Sequence, residues 1–168
     1  MRLKNGSKGA WIALLAAVLD QVSKAAVRNY PCTQLATGYG ALWEIPGVVA
    51  VRHTQNTGMA FSMFSGSGLA LTVATALLIG GLMAWLLFRH DQPKGMRIGL
   101  WLMVGGGLGN LYDRIVYGYV TDFIELLFVR FAVFNLADVF ICIGAGVAFL
   151  FAILDERKRG SEHERTAD

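Results

Sequence analysis

From Gly66 to Phe88 the chain runs for 23 residues without a charged side chain. At 1.5 Å of rise per residue, a helix of that length is about 35 Å long, enough to cross a hydrocarbon layer of roughly 30 Å. The rest of the chain agrees with a membrane setting. Of 168 residues, 55% belong to the AVILMFWYC set and 16% are charged, where about 25% charged is usual for soluble domains. That apolar content excludes a disordered chain, glycine lacks the three-residue period of collagen, and two cysteines are too few for a disulfide scaffold. The length suits one domain.

Three further runs read as spans. Trp11 to Val27 is apolar up to Leu19 and then carries Asp20 and Lys24, so its outer half faces protein or water. Its basic start resembles a secretory signal peptide, but DQVSKAAVRNYP is too polar for a cleavage region, and three spans follow. Ile98 to Tyr112 is uncharged and carries Gly99, Gly105, Gly106, Gly107 and Gly109, which allow close backbone approach and predict a buried central helix. Val139 to Leu154 lies between Asp138 and Asp155 and contains Gly144 and Gly146. The spans are expected at about 9–29, 66–88, 97–116 and 136–155, with 156–168 as a disordered cytoplasmic tail.

Four spans bring both termini to one side. The basic residues gather there: Arg2, Lys4 and Lys8, then Arg89, Lys94 and Arg97, then Arg157, Lys158, Arg159 and Arg165. That side is therefore cytoplasmic. The net charge of +3 does not point to nucleic acid, because Lys and Arg are not clustered among aromatics on a polar face. In the outer segments, Val48 to Thr54 follows a Pro46-Gly47 turn and has strand propensity, and Phe123 to Phe134 reads as one or two short strands. The expected fold is an all-α integral membrane protein with four transmembrane helices and a small extracytoplasmic β element.

Polar residues in or beside a span are costly unless paired, so each needs an account. Asp20 and Lys24, at i and i+4, fit a structural ion pair with the acid toward the N-terminus. A Ser23–Lys24 nucleophile fails, since neighbours on a helix point about 100° apart. Asn110 and Asp113 share a face at the end of the third span, and Arg114 can meet an acid or a lipid headgroup. Asn135 with Asp138 resembles a capping box, and an acid there suits the helix dipole. That leaves unexplained why Asp122 approaches the same membrane face from the preceding loop. Two carboxylates there can share one proton, one acting as base toward water and the other as acid toward a carbonyl. His53 to Phe61, with a turn at Asn56-Thr57-Gly58, is expected to line the site, because irregular backbone at membrane depth needs protein or water around it. His53, His90 and His163 are scattered and Cys32 and Cys142 lack ligand partners, so no metal or other cofactor is expected. Cys142 is expected as a packed small hydrophobe, the alternative being a disulfide with Cys32.

Five blocks, DQVSK, NTGMAF, GGGLGNLYDR, VTDF and FNLAD, occur in this order from Asp20 to Asp138. Together they resemble lipoprotein signal peptidase, the type II signal peptidase of bacteria. The resemblance implies one membrane-embedded aspartyl endopeptidase domain of the inner membrane that cuts prolipoproteins before their diacylglyceryl-modified cysteine, as a monomer. Carried over by motif, the catalytic dyad falls on Asp122 and Asp138. Asp20, Lys24, Asn56, Gly58, Asn110, Asp113, Arg114, Asn135 and Ala137 form the supporting shell. Asn56 and Asn110 would hold substrate backbone or order the site, Arg114 would meet Asp113 or the lipid-bearing end, and Asn135 would position the dyad. Met59 and Ser62 stand where the family pattern has small residues, and a dyad spacing of 16 implies a trimmed outer loop. The alternatives from other classes are a small carrier or proton channel, and a non-catalytic membrane subunit using its Gly-rich helix as a contact.

Overall fold

The computed structural model describes residues 9–30, 41–58, 68–89 and 91–167. Among these the elements run α1 (Ala10–Asn29), β1 (Trp43–Ile45), β2 (Val49–Asn56), α2 (Gly68–Phe88), α3 (Lys94–Tyr117), β3 (Val120–Leu126) and α4 (Leu136–Ala167). By length and composition α1, α2 and the Leu136–Ser161 part of α4 can cross a membrane. The molecule's polarity is inverted relative to a soluble fold. Leu69, Leu77 and Leu78 are 80%, 71% and 75% exposed, whereas Asp20, Lys24 and Asp113 are 0% exposed. Leucines outside and charges inside suit a hydrocarbon solvent.

The remaining helix, α3, carries charges at both ends and packs against α1, α2 and α4. Three successive glycines explain how one helix serves three neighbours. A Cβ on Gly105 would meet Ala13 and Ala16 of α1, one on Gly106 would meet Ala137 and Ile141 of α4, and one on Gly107 would meet Ile79 of α2. Backbone contacts of this kind replace the hydrophobic drive that lipid removes. Ala13, Ile79, Leu86, Trp101 and Val104 close the core where α1, α2 and α3 meet.

Beyond Tyr117 the chain turns at Gly118, whose φ of 78° is left-handed and whose N–H donates to Arg114 O at 3.2 Å. This cap feeds β3. The three strands form an antiparallel sheet in the order β1-β2-β3. β2 pairs Val51 with Ile124, shifts register, and then pairs Thr54 with Asp122 and Asn56 with Val120. Phe134 bridges Ile124 through N–H···O bonds of 2.8 and 3.0 Å, delivering the chain to the start of α4 beside β3.

Several expectations shift. Asp122 lies within a strand rather than a loop, because β3 begins at Val120. β1, a three-residue strand not expected from the sequence, pairs antiparallel with β2. The charged tail is helical through Ala167 rather than disordered: extending an existing helix avoids the cost of nucleation, and Asp155 and Arg159 pair at 2.9 Å across one turn. Cys142 is a free, exposed thiol on a cleft wall rather than a packed one. Cys32, Met59, Ser62, His90, Arg2, Lys4 and Lys8 lie outside the described residues.

Candidate active site

The buried polar residues form one continuous network where the ends of α1 and α3, the start of α4 and the sheet converge. Its base is charged. Lys24 Nζ lies 2.8 Å from Asp20 Oδ2 and 3.3 Å from Asp113 Oδ2, and donates to Asn110 Oδ1 at 2.8 Å. Asp20 Oδ1 in turn accepts the backbone N–H of Ala137 at 2.9 Å, satisfying a free amide in the first turn of α4. The Asp20–Lys24 pair therefore joins α1 to α3 and α4. Ser23 instead donates to the carbonyl of Asp20 at 2.7 Å, within its own helix.

Two asparagines carry the network to Asp122 and Asp138. Asn110 Nδ2 donates to Asp138 Oδ1 at 2.8 Å. Asn135 Nδ2 donates to Asp122 Oδ1 at 2.7 Å and to Asn110 Oδ1 at 3.0 Å. From β2, Asn56 Nδ2 donates to the other Asp122 oxygen at 2.8 Å, and its Oδ1 accepts the Gly58 N–H at 3.0 Å. That turn fixes the amide with its donor toward the acid. Asn56 and Asp122 are diagonal cross-strand neighbours, a placement created by the register shift in β2.

Both aspartates line a cleft of about 490 Å³. Its lining combines polar Asn56, Asn110 and Arg114 with apolar Phe131, Val133, Val139 and Ile143. Asp122 is 3% exposed, and burial pushes its carboxyl up to about 6, the nearby Asp138 adding to the rise while Asn56 and Asn135 oppose it. Arg114 reaches the carbonyls of Asn110 and Gly58 at 3.4 Å each, while Asp113 turns to Lys24 and Arg28 of α1. Among the described residues no three His, Cys, Asp or Glu side chains gather as a metal-holding group.

The family model for signal peptidase (SPase) II, Peptidase_A8, matches residues 12–154. A lipoprotein signal peptidase of Streptococcus pneumoniae is 37% identical over 153 residues, covering 90% of this chain and 95% of that protein. Another, from a Nostoc species, is 39% identical over 171 residues, covering 98% and 99%. A bacterial membrane enzyme solved by the in meso method at 2.3 Å superposes with a TM-score of 0.74 at 25% identity, covering 91% of each chain.

The chain belongs to the signal peptidase II family. It is thus a peptidase with a membrane-enzyme fold. All eleven residues singled out from the sequence fall in or beside the network: Asp20, Lys24, Asn56, Gly58, Asn110, Asp113, Arg114, Asp122, Asn135, Ala137 and Asp138. Sequence reasoning missed three members. Gln21 donates to Asp113 Oδ1 at 3.1 Å and to the Gly109 carbonyl at 3.0 Å. Arg28 donates to Thr121 Oγ1 at 2.9 Å, and the Thr121 N–H donates to Asp113 Oδ2 at 2.9 Å. A signal was present, since Asp20, Lys24 and Arg28 recur every fourth residue and mark a polar stripe along the second half of α1.

Proposed function

We propose that this protein is an aspartyl endopeptidase that removes signal peptides from prolipoproteins by cutting before the diacylglyceryl-modified cysteine. Asp122 and Asp138 are its catalytic pair. The observation that carries this reading is their shared cleft, lined by polar and by apolar side chains, with each acid held by asparagine amides. The pair holds one proton. The ionised carboxylate takes a proton from water, the water attacks the scissile carbonyl, and the protonated partner stabilises the developing oxyanion and then protonates the leaving amine. Arg114, at the rim, meets the polar part of the lipid-bearing end or the peptide backbone. The apolar wall takes acyl chain, whose burial is worth about 0.8 kcal/mol per CH₂.

The topology that serves this chemistry has four spans in one peptidase domain, acting as a monomer in the bacterial inner membrane, with both termini cytoplasmic. α3 crosses as the enclosed helix, its end charges neutralised by neighbours or headgroups. The sheet and cleft then lie at the extracytoplasmic face. A signal peptide lies as a helix among the spans and becomes extended at its cleavage end, where the two acids wait.

The test is cleavage of a diacylglyceryl-modified lipobox peptide by purified protein in detergent, with wild type, Asp122→Asn and Asp138→Asn compared with and without a chelator. Cutting before the lipidated cysteine, insensitivity to chelation and two folded but inactive variants are the expected results. Cleavage by both variants would show that the dyad is misassigned; a wild type that never cuts but carries a proton or solute flux would restore the carrier reading.

A further inference from the structure

Arg28 sits in the last turn of α1, 14% exposed, outside the five sequence blocks. Its guanidinium does three things at once. Nη1 lies 3.4 Å from Asp113 Oδ1 and donates to Thr121 Oγ1 at 2.9 Å, and the group covers the Tyr117 ring with Cζ 4.4 Å from the centroid. Thr121 is the residue immediately before Asp122 on β3. It is fully buried and held from two directions, by Arg28 through its hydroxyl and by Asp113 through its backbone N–H at 2.9 Å. The ends of α1 and α3 therefore grip β3 one residue short of the carboxylate that must be placed.

The charges close as well. Asp20, Lys24, Arg28 and Asp113 form a cluster with two positive and two negative members. Without Arg28 that cluster carries one uncompensated negative charge beside β3. Outside the cluster, His53 of β2 also feels Arg28: burial and the Arg28 charge both push its imidazole down. Asp122 itself faces Asp138 of α4, Lys24 of α1 and Arg114 of α3, along with the amides of Asn56 and Asn135. None of these replaces Arg28 at Asp113 and Thr121 together.

We propose that Arg28 is a positioning residue of the peptidase: by neutralising Asp113 and pinning Thr121 it sets the placement of Asp122 and the charge balance beside it. The proposal rests on the reading of Asp122 as catalytic. Lysine is no equivalent here: Nη1 alone reaches both the carboxylate and the hydroxyl while the rest of the delocalised guanidinium lies over the Tyr117 ring, a spread of contacts that a compact ammonium does not reproduce.

The experiment measures kcat and KM against pH for the full chain in detergent with the lipidated lipobox peptide, in wild type, Arg28→Gln, Arg28→Lys, Thr121→Val and Asp122→Asn. Arg28→Gln is expected to lower kcat roughly ten- to a hundred-fold with KM unchanged, and to move the pH profile upward, since an unpaired negative charge disfavours a second one nearby. Arg28→Lys is expected to restore the pH profile but only part of kcat. Thr121→Val should lower kcat without moving the profile. A folded Arg28→Gln with wild-type kcat and profile overturns the proposal, as does a rise in KM alone, which would put Arg28 on the substrate. If Arg28→Gln does not fold, Thr121→Val decides, and wild-type kcat in that variant overturns the proposal. Asp122→Asn separates the two levels: cleavage by it sinks the dyad, whereas an inactive Asp122→Asn beside an unaffected Arg28→Gln sinks only the role of Arg28.

Discussion

Asn135 and Asp138 hold each other reciprocally: the Asp138 N–H donates to Asn135 Oδ1 at 3.1 Å, and the Asn135 N–H donates to Asp138 Oδ2 at 3.1 Å. This is a capping box at the start of α4, and it leaves the Asn135 amide nitrogen free to bond Asp122 and Asn110. The stability role and the positioning role thus occupy different atoms of one side chain. Serine caps a helix about as well as asparagine but has no amide to donate. Asn135→Ser is expected to keep the thermal midpoint within a few degrees while lowering cleavage roughly a hundred-fold. A variant that loses stability and rate in proportion would show that capping is all Asn135 does.

Burial raises the Asp122 carboxyl from its ordinary 3.8 to about 6. The folded protein therefore binds that proton more tightly than the unfolded chain. The resulting contribution to stability is fully present below pH 3.8 and is lost as pH rises through about 6. A two-unit shift corresponds to about 3 kcal/mol. Asp122→Asn should be more stable than wild type at pH 8 and lose that advantage toward pH 4, read as thermal midpoints in detergent. Asn56→Ala, which removes a donor that favours the ionised acid, should move the wild-type midpoint of this pH dependence upward. Parallel pH curves for wild type and Asp122→Asn would refute the raised carboxyl.

What the sequence disclosed was mostly local. The Asp20–Lys24 pair, the Asn135–Asp138 box and the Asn56-Thr57-Gly58 turn join residues no more than four apart, so spacing alone reveals them. The close packing of α3 was legible because glycine density in an apolar run has few other uses. What spacing does not reveal is where a local motif points once the helices assemble. Lys24 finds Asn110 86 residues away, and Thr121 finds Arg28 93 residues away. The position of Asp122 on a strand was hidden for a related reason: β3 is held by β2 and by Phe134, and its own residues give no strong alternation. The helical tail was misread because composition was weighed without the helix already running into it.

Gly109 tests how tightly the network is packed. A Cβ there would meet the Asp20 carboxylate, which cannot yield because both its oxygens are bonded, to Lys24 and to the Ala137 N–H. Gly109→Ala should therefore destabilise by about 1–3 kcal/mol and reduce cleavage sharply. Gly81 of α2 is the control, with nothing within 4 Å of a Cβ. Since alanine is the better helix former by about 1 kcal/mol, Gly81→Ala should be neutral or slightly stabilising. Equal thermal midpoints for the two variants would mean that α1 can draw away from α3 without loss.

Lys24 is the most exacting position in the cluster, a fully buried ammonium shared by Asp20, Asp113 and Asn110. Lys24→Met keeps the volume and removes the charge, leaving two buried carboxylates with only Arg28, at Asp113, to balance them. A loss of about 3–5 kcal/mol is expected, as for any buried pair broken on one side. Adding Asp20→Asn removes one of the two acids, and the remaining Asp113 and Arg28 balance, so the double variant should recover much of the lost stability. Its activity should not recover. Asn110 accepts from Lys24 on Oδ1 while its Nδ2 donates to Asp138, and without the ammonium the amide loses the contact that sets which way it faces. Thermal midpoints and cleavage rates of the two variants separate charge balance from orientation. A single Lys24→Met variant as stable as wild type would show that water or an altered protonation state already relieves the cluster.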